Sequence, residues 1–165
     1  MADKTVTERL QPSLLDRLTD DAPEALKETR EDRVINISRL REIIQRDLGW
    51  LLNTQNNESW LDAGRYPHAS KSVLNYGVRE VSGEYATEAE AERIRGCIAD
   101  AISRFEPRIR EGTTDVSLRA REGRSSAIIA FDIRAEMWAT PIPLELYLRT
   151  EIDITTGEVN LEKAD

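Results

Sequence analysis

Thiols and imidazoles are almost missing from this chain: Cys97 is its one cysteine and His68 its one histidine. A single thiol cannot form an internal disulfide, and one Cys with one His falls short of a zinc ligand set. Any Ser-His-Asp or Cys-His triad would have to run through His68, beside Pro67 in a stretch without periodicity. No Gly-rich phosphate loop, G-x-S-x-G elbow or H-E-x-x-H pair occurs. No apolar run approaches the roughly 20 residues that span a bilayer. Met1 to Leu18 lacks the basic-then-apolar order of a signal peptide. The expectation is a cytoplasmic protein with no cofactor, no metal and no direct membrane insertion.

Positive charge is also short, with 23 Lys and Arg against 31 Asp and Glu, a net charge of -8. Phosphate-directed binding needs clustered cations, so nucleic acid is not an expected partner. Such acidity suits basic protein surfaces, or solubility alone. What the chain does have is enough apolar residues for one core, 39% of 165, under a surface rich in charge.

Two zones divide it. Residues 1–32 hold nine acids and five bases and few apolar side chains other than Leu14, Leu15 and Leu18. Such a segment cannot bury enough surface to fold alone. It is predicted to be an arm: a short amphipathic turn, then an acidic linker. The leucines either pack on the domain's own core or dock in a partner's groove.

Residues 33–165 are predicted to form an α+β domain. Ile37, Leu40, Ile44, Leu48 and Leu51 recur at helical spacing, with Ser38 as N-cap and Asn53 to Asn57 as the stop. Arg39, Arg41, Arg46 and Asp47 are placed on its solvent face. Residues 53–85 read as a long irregular crossing, of the kind that is functional or partner-ordered. Ser72 to Gly77 within it suits a turn. Thr87-Glu88-Ala89-Glu90 matches a capping box, and Ile94, Cys97, Ile98, Ala101, Ile102 and Phe105 follow as a stripe. Cys97 is thus a small core hydrophobe, and Pro107 stops the helix. Alternating patterns then predict strands at Val116–Ala120, Ala127–Met137, Leu144–Ile152 and around Val159 and Leu161, with turns at Glu122-Gly123 and Thr155-Thr156-Gly157 and a break at Pro141-Ile142-Pro143. The sum is a predominantly antiparallel sheet of 3–4 strands packed against two main helices, with an N-terminal arm. Any of the first, third and last strands is a candidate edge that could pair with a strand of another chain.

Paired carboxylates are the remaining catalytic route, because a glycosidase needs two. Glu106 is the candidate, yet Arg108 across Pro107 fits a bidentate clamp that fixes a chain reversal. A guanidinium partner lowers a carboxyl's pKa, whereas a general acid needs it raised. Trp50 and Trp138 are expected to pack, leaving Trp60 as a contact surface.

Phe105-Glu106-Pro107-Arg108-Ile109 resembles the Glu-Pro-Arg signature of the baseplate-wedge and sheath-initiator family of contractile phage tails and type VI secretion. Arg39 to Thr54 is similar to that family's first core helix, Ser72 to Gly77 to its loop motif, and Ser13 to Leu18 to the N-terminal element of TssE members. The four stand in the expected order over nearly the whole chain. The resemblance implies a cytoplasmic, non-enzymatic baseplate subunit with TssF, TssG and TssK as neighbours, starting polymerisation of the TssB/TssC sheath. It implies a wedge-stabilising motif at Glu106, Pro107 and Arg108, a loop motif at Asn75, Tyr76 and Gly77, and a partner-binding arm at Leu14, Leu15 and Leu18. Two alternatives stay open: an anti-adaptor of regulated proteolysis within the same fold, and a peptidoglycan hydrolase, after the older "lysozyme-like" description of phage relatives.

Overall fold

The computed structural model describes residues 13–19, 23–24, 37–83, 87–119, 127–138 and 143–164. Among them run α1 (Leu14–Leu18), α2 (Ile37–Leu52), α3 (Pro67–Ser70), a 3-10 turn (Val73–Asn75), α4 (Glu88–Phe105) and strands β1 (Asp115–Leu118), β2 (Ile128–Met137), β3 (Leu144–Asp153) and β4 (Val159–Lys163). The sheet is antiparallel in the order β1-β2-β3-β4. One face takes α2, over β4, and α4, over β1. The predicted α+β sheet with two main helices is the observed fold. Ala120, the Glu122-Gly123 turn, Pro141-Ile142 and most of the acidic linker lie outside the described residues.

Each element follows from its spacing. In α2, Leu40, Ile43, Ile44, Leu48, Leu51 and Leu52 are buried. An isolated helix of this length is marginal in water. Burial, at about 1.5–3 kcal/mol per large aliphatic side chain, is what holds it. The helix ends as its polar stop predicts: Asn53 Nδ2 donates to Gly49 O at 2.8 Å and Thr54 Oγ1 to Trp50 O at 2.7 Å. Ser38 is the second residue of α2, not its cap, and Ile37 is exposed. In α4, Thr87 Oγ1 accepts from the Glu90 amide at 3.2 Å, while the Glu90 carboxylate pairs with Arg93 one turn on. On β2, Ile129, Phe131, Ile133, Ala135 and Met137 face the core, and on β3 Leu146, Leu148, Thr150 and Ile152 do. Thr150 holds an apolar register position, and its hydroxyl has no partner among the described residues.

Three expectations are corrected. Leu144–Ile152 is not an edge, because β3 pairs β2 along its length and β4 over Leu148–Ile152. Trp50 is half-exposed and Trp138 exposed, so neither is a packing residue. At 100° per residue Trp50 stands about 200° from Leu48, off the apolar stripe. The stretch 53–83 is folded, with α3, the 3-10 turn and a bridge between Gln55 and Val78.

The outer border of β4 is not open. Asn53 Nδ2 donates to Val159 O at 2.8 Å, and the Val159 amide returns a 2.9 Å bond to Asn53 Oδ1. Gln45 Nε2 reaches Leu161 O at 3.0 Å, and Arg41 Nη2 reaches Glu145 O at 3.2 Å. Gln45 on α2 and Asn53 at its exit thus meet outward groups of β4, and Arg41 meets β3 where it runs past β4, so the helix and its exit supply pairing that a further strand would have made. Border β1 carries no such cover from α2.

Candidate functional site

Pro107 disfavours helical geometry at the residue before it. Glu106 accordingly leaves α4 with φ -115 and ψ 84. Its C=O accepts the Ile109 amide at 3.1 Å, closing a turn with proline at the second position. That turn aims the Glu106 carboxylate back over Arg108. Oε1 accepts the Arg108 amide at 3.0 Å and its Nε at 2.7 Å, and Oε2 pairs with Nη2. The chain leaves the corner locked to β2: Trp138 N–H donates to Arg108 O and Arg110 N–H to Glu136 O, both at 2.8 Å. The clamp read between Glu106 and Arg108 is present, and Glu106 is buried, at 4% exposure.

Arg108 also holds a residue that sequence placed on a solvent face. Its Nη2 donates to Asp47 Oδ2 on α2 at 2.7 Å. Asp47 Oδ1 in turn accepts Arg46 Nε at 2.9 Å and Nη2 at 2.7 Å. Arg46 Nη1 reaches Asp16 Oδ1 on α1 at 2.5 Å, and Ser13 Oγ closes on the same carboxylate. Charges thus alternate from Glu106 through Arg108, Asp47 and Arg46 to Asp16. Burial works against the Arg108 charge, but the bonds and charges of Glu106 and Asp47 outweigh it and raise its pKa. Two carboxylates do meet here, with a guanidinium between them.

The loop motif comes to the same corner. Tyr76 packs edge-on against Phe105, ring centroids 5.2 Å apart. Burial, then the charges of Asp47 and Glu106, push its phenol up. Buried Asn75 accepts the Asn57 amide at 3.0 Å and donates to Ser70 O at 3.1 Å. Gly77 lets Val78 pair both ways with the exit of α2, Val78 N–H to Thr54 O at 2.8 Å and Asn56 N–H to Val78 O at 2.9 Å.

The predicted site residues thus fall into two groups. Glu106, Arg108 and Tyr76 meet at the corner, with exposed Pro107 as its hinge and Asn75 and Gly77 bracing the loop. Leu14, Leu15 and Leu18 do not join them: α1 is tied to α2 through Asp16 and all three leucines are exposed. Asp47, Arg46 and Asp16 were missed as members. The signal available was the adjacent opposite charges of Arg46-Asp47, which local pattern assigns to water. Cys97 is partly buried on α4, and burial pushes its thiol up, the reverse of an activated nucleophile. Among the described residues no group of three or more His, Cys, Asp and Glu is placed to hold a metal, and no helix is long and apolar enough to cross a membrane.

The arm contact is open to test. The Arg46 hydrogen bond, against a smaller effect of burial, holds the Asp16 carboxyl below its ordinary value. A depressed folded pKa gives stabilisation that is full above the unfolded value, about 3.9, and is lost as pH falls through the lower folded value. Acidification into that range should release α1, as should Asp16→Asn at neutral pH. In Asp16→Asn at neutral pH, amide exchange at residues 13–19 should speed up with little change in global stability. Unchanged exchange in Asp16→Asn would show that the ion pair does not hold the arm.

A sequence model of the baseplate wedge protein gp25 matches residues 38–142, from α2 through the corner and past the end of β2. No curated protein and no solved structure matches the chain.

Proposed function

The chain belongs to the baseplate wedge protein gp25 family, and from that premise we propose that it is the TssE-type subunit of a type VI secretion baseplate. A structural role in a phage-tail-like baseplate is what the family carries. The finer reading has it work in the cytoplasm, bind TssF, TssG and TssK in the wedge, and start the TssB/TssC sheath without enzymatic activity. The observation that carries it is the corner itself. Glu106 is buried against Arg108 and shares that guanidinium with Asp47, which suits a rigid joint and not an acid catalyst. The exposed leucines of α1 support the TssE assignment, as side chains open to a partner's groove.

Sheath initiation needs a place for another chain to pair. With β3 interior and β4 covered by α2, β1 is the border that supports this reading. Arg119 N–H donates to Ala130 O, and this phase of the register sends the Asp115 and Ser117 groups inward and the Val116 and Leu118 groups outward. Proline at 118 therefore removes an outward amide and no ladder bond. Leu118→Pro should leave the monomer folded and abolish sheath assembly in cells. Intact sheaths would reject β1 as the pairing border. Recovery of the tagged chain with wedge subunits, read by mass spectrometry, tests the larger claim; recovery with a proteolysis adaptor instead would favour the anti-adaptor.

A further inference from the structure

α1 sits on the domain with its apolar side outward. Leu14 is 71% exposed, Leu15 48% and Leu18 75%, whereas the Asp16 side chain is 9% exposed and turned onto α2. Packing by hydrophobicity alone would have turned the leucines in. Its tie to α2 is a carboxylate instead. Asp16 Oδ1 accepts Arg46 Nη1 at 2.5 Å and Oδ2 accepts Nη2 at 3.4 Å, with Ser13 Oγ closing on the same group.

The receiving guanidinium has little freedom. Arg46 presents one edge to Asp16, gives Nε and Nη2 to Asp47 Oδ1 at 2.9 and 2.7 Å, and lays its face over the Trp50 ring, 4.7 Å from the centroid. A planar fork bonded at two edges and stacked on a ring has a single orientation. That orientation braces Asp47, whose Oδ2 ties Arg108, and with it the corner, to α2 at 2.7 Å. Without Asp16, the one-third exposed Arg46 side chain is free to turn into water, and Asp47 loses the brace on Oδ1. Glu106 keeps its own bonds to Arg108. The clamp survives while its anchor on α2 slackens.

We propose that α1 is a strap whose docking tightens the corner, with Arg46 and Asp47 as the link. A neighbour that grips the outward leucines in this posture holds Asp16 on Arg46 and so stiffens the corner. By reciprocity, a neighbour seated on the corner holds the arm down. On the baseplate reading above, on which this step rests, that neighbour is a wedge subunit; the coupling itself belongs to this chain alone.

Amide exchange of the full chain at neutral pH tests this in wild type, Asp16→Lys, Asp47→Ala and the double variant. Lysine at 16 sets a cation against Arg46 and should release α1, speeding exchange at residues 13–19. Exchange at the Arg108 and Ile109 amides, both bonded to Glu106, should rise by about twofold or more, the low end of coupling within one ion-pair network. The interior of α4 and β2 should stay protected. In the Asp47→Ala background the same lysine should still release α1 but no longer move the corner amides. Release of α1 with the corner unchanged, a corner response that survives Asp47→Ala, or an α1 unmoved by the lysine would each overturn the proposal. None of these would touch the baseplate reading, because no partner is present in the experiment. Failure to recover wedge subunits with the tagged chain would sink that reading and leave the coupling standing.

Discussion

Arg108→Ala should lower the unfolding free energy by about 3 kcal/mol, the low end of what breaking a buried ion pair costs. For a chain of this size that is a fall of roughly 6–12 °C in the thermal midpoint. The penalty arises at Glu106, whose carboxylate is 4% exposed and loses both side-chain donors. It is not larger because the amide at 108 still donates to Oε1, and Asp47 keeps Arg46. Glu106→Gln should cost less, about 1–2 kcal/mol, since it removes the buried charge along with its partner's best acceptor. In the double-mutant cycle the two changes should couple by more than about 1 kcal/mol, as contacting charges do. Denaturant titrations of the four proteins measure this directly. Additive effects within about 0.5 kcal/mol would mean that the corner is held by Pro107 and packing alone. The same Glu106→Gln protein separates scaffold from hydrolase: a cell-wall clearing activity present in wild type and lost in this variant would place catalysis at the corner.

What the sequence disclosed is what depends on near neighbours along the chain. The α4 stripe, its Thr87 cap, the Pro107 stop and the β2 and β3 alternations are all set within a few residues, and the structure holds them at nearly the predicted limits. The Glu106–Arg108 clamp was legible for the same reason, being two residues wide. Asp47 was not, because its partner Arg108 is 61 positions away and a carboxylate beside an arginine on a helix looks solvated from local pattern. Strand order is likewise a property of the whole chain. Alternation finds β3 but says nothing of its two neighbours, and only tertiary contact shows that Gln45 and Asn53 cover β4. Residues 53–83 read as irregular because their order comes from side-chain caps such as Asn57, Asn75 and Ser72, which leave no periodicity. Hydrophobicity alone misplaced Trp50 and Trp138. The helical angle between Leu48 and Trp50 would have placed the first correctly.

Gly77→Ala should be at least as damaging as the loss of Arg108, and for a reason no pattern of residue types contains. Gly77 has φ +114, a region that residues with a Cβ avoid. A methyl there would lie 2.1 Å from Thr54 O and 2.7 Å from Thr54 C, both backbone atoms. Relief requires moving the exit of α2 away from the loop, at the expense of the Val78 amide bond to Thr54 O and the Asn56 amide bond to Val78 O. Strain of about 1–3 kcal/mol and two net hydrogen bonds of about 1 kcal/mol each put the loss near 3–5 kcal/mol. Were Gly77 present merely to ease a turn, alanine would cost only the backbone penalty, about 1–2 kcal/mol. Denaturation separates the two cases, and amide exchange locates the damage: protection at Asn56 and Val78 should fall before protection in α4 or β2. Because Asn75 and Tyr76 hang on that junction, the same substitution should loosen the Tyr76 ring from Phe105 and the Val73–Leu74 tip from its brace. Full protection at both amides in a folded Gly77→Ala protein would show that the close approach to Thr54 is not what fixes the loop to the corner.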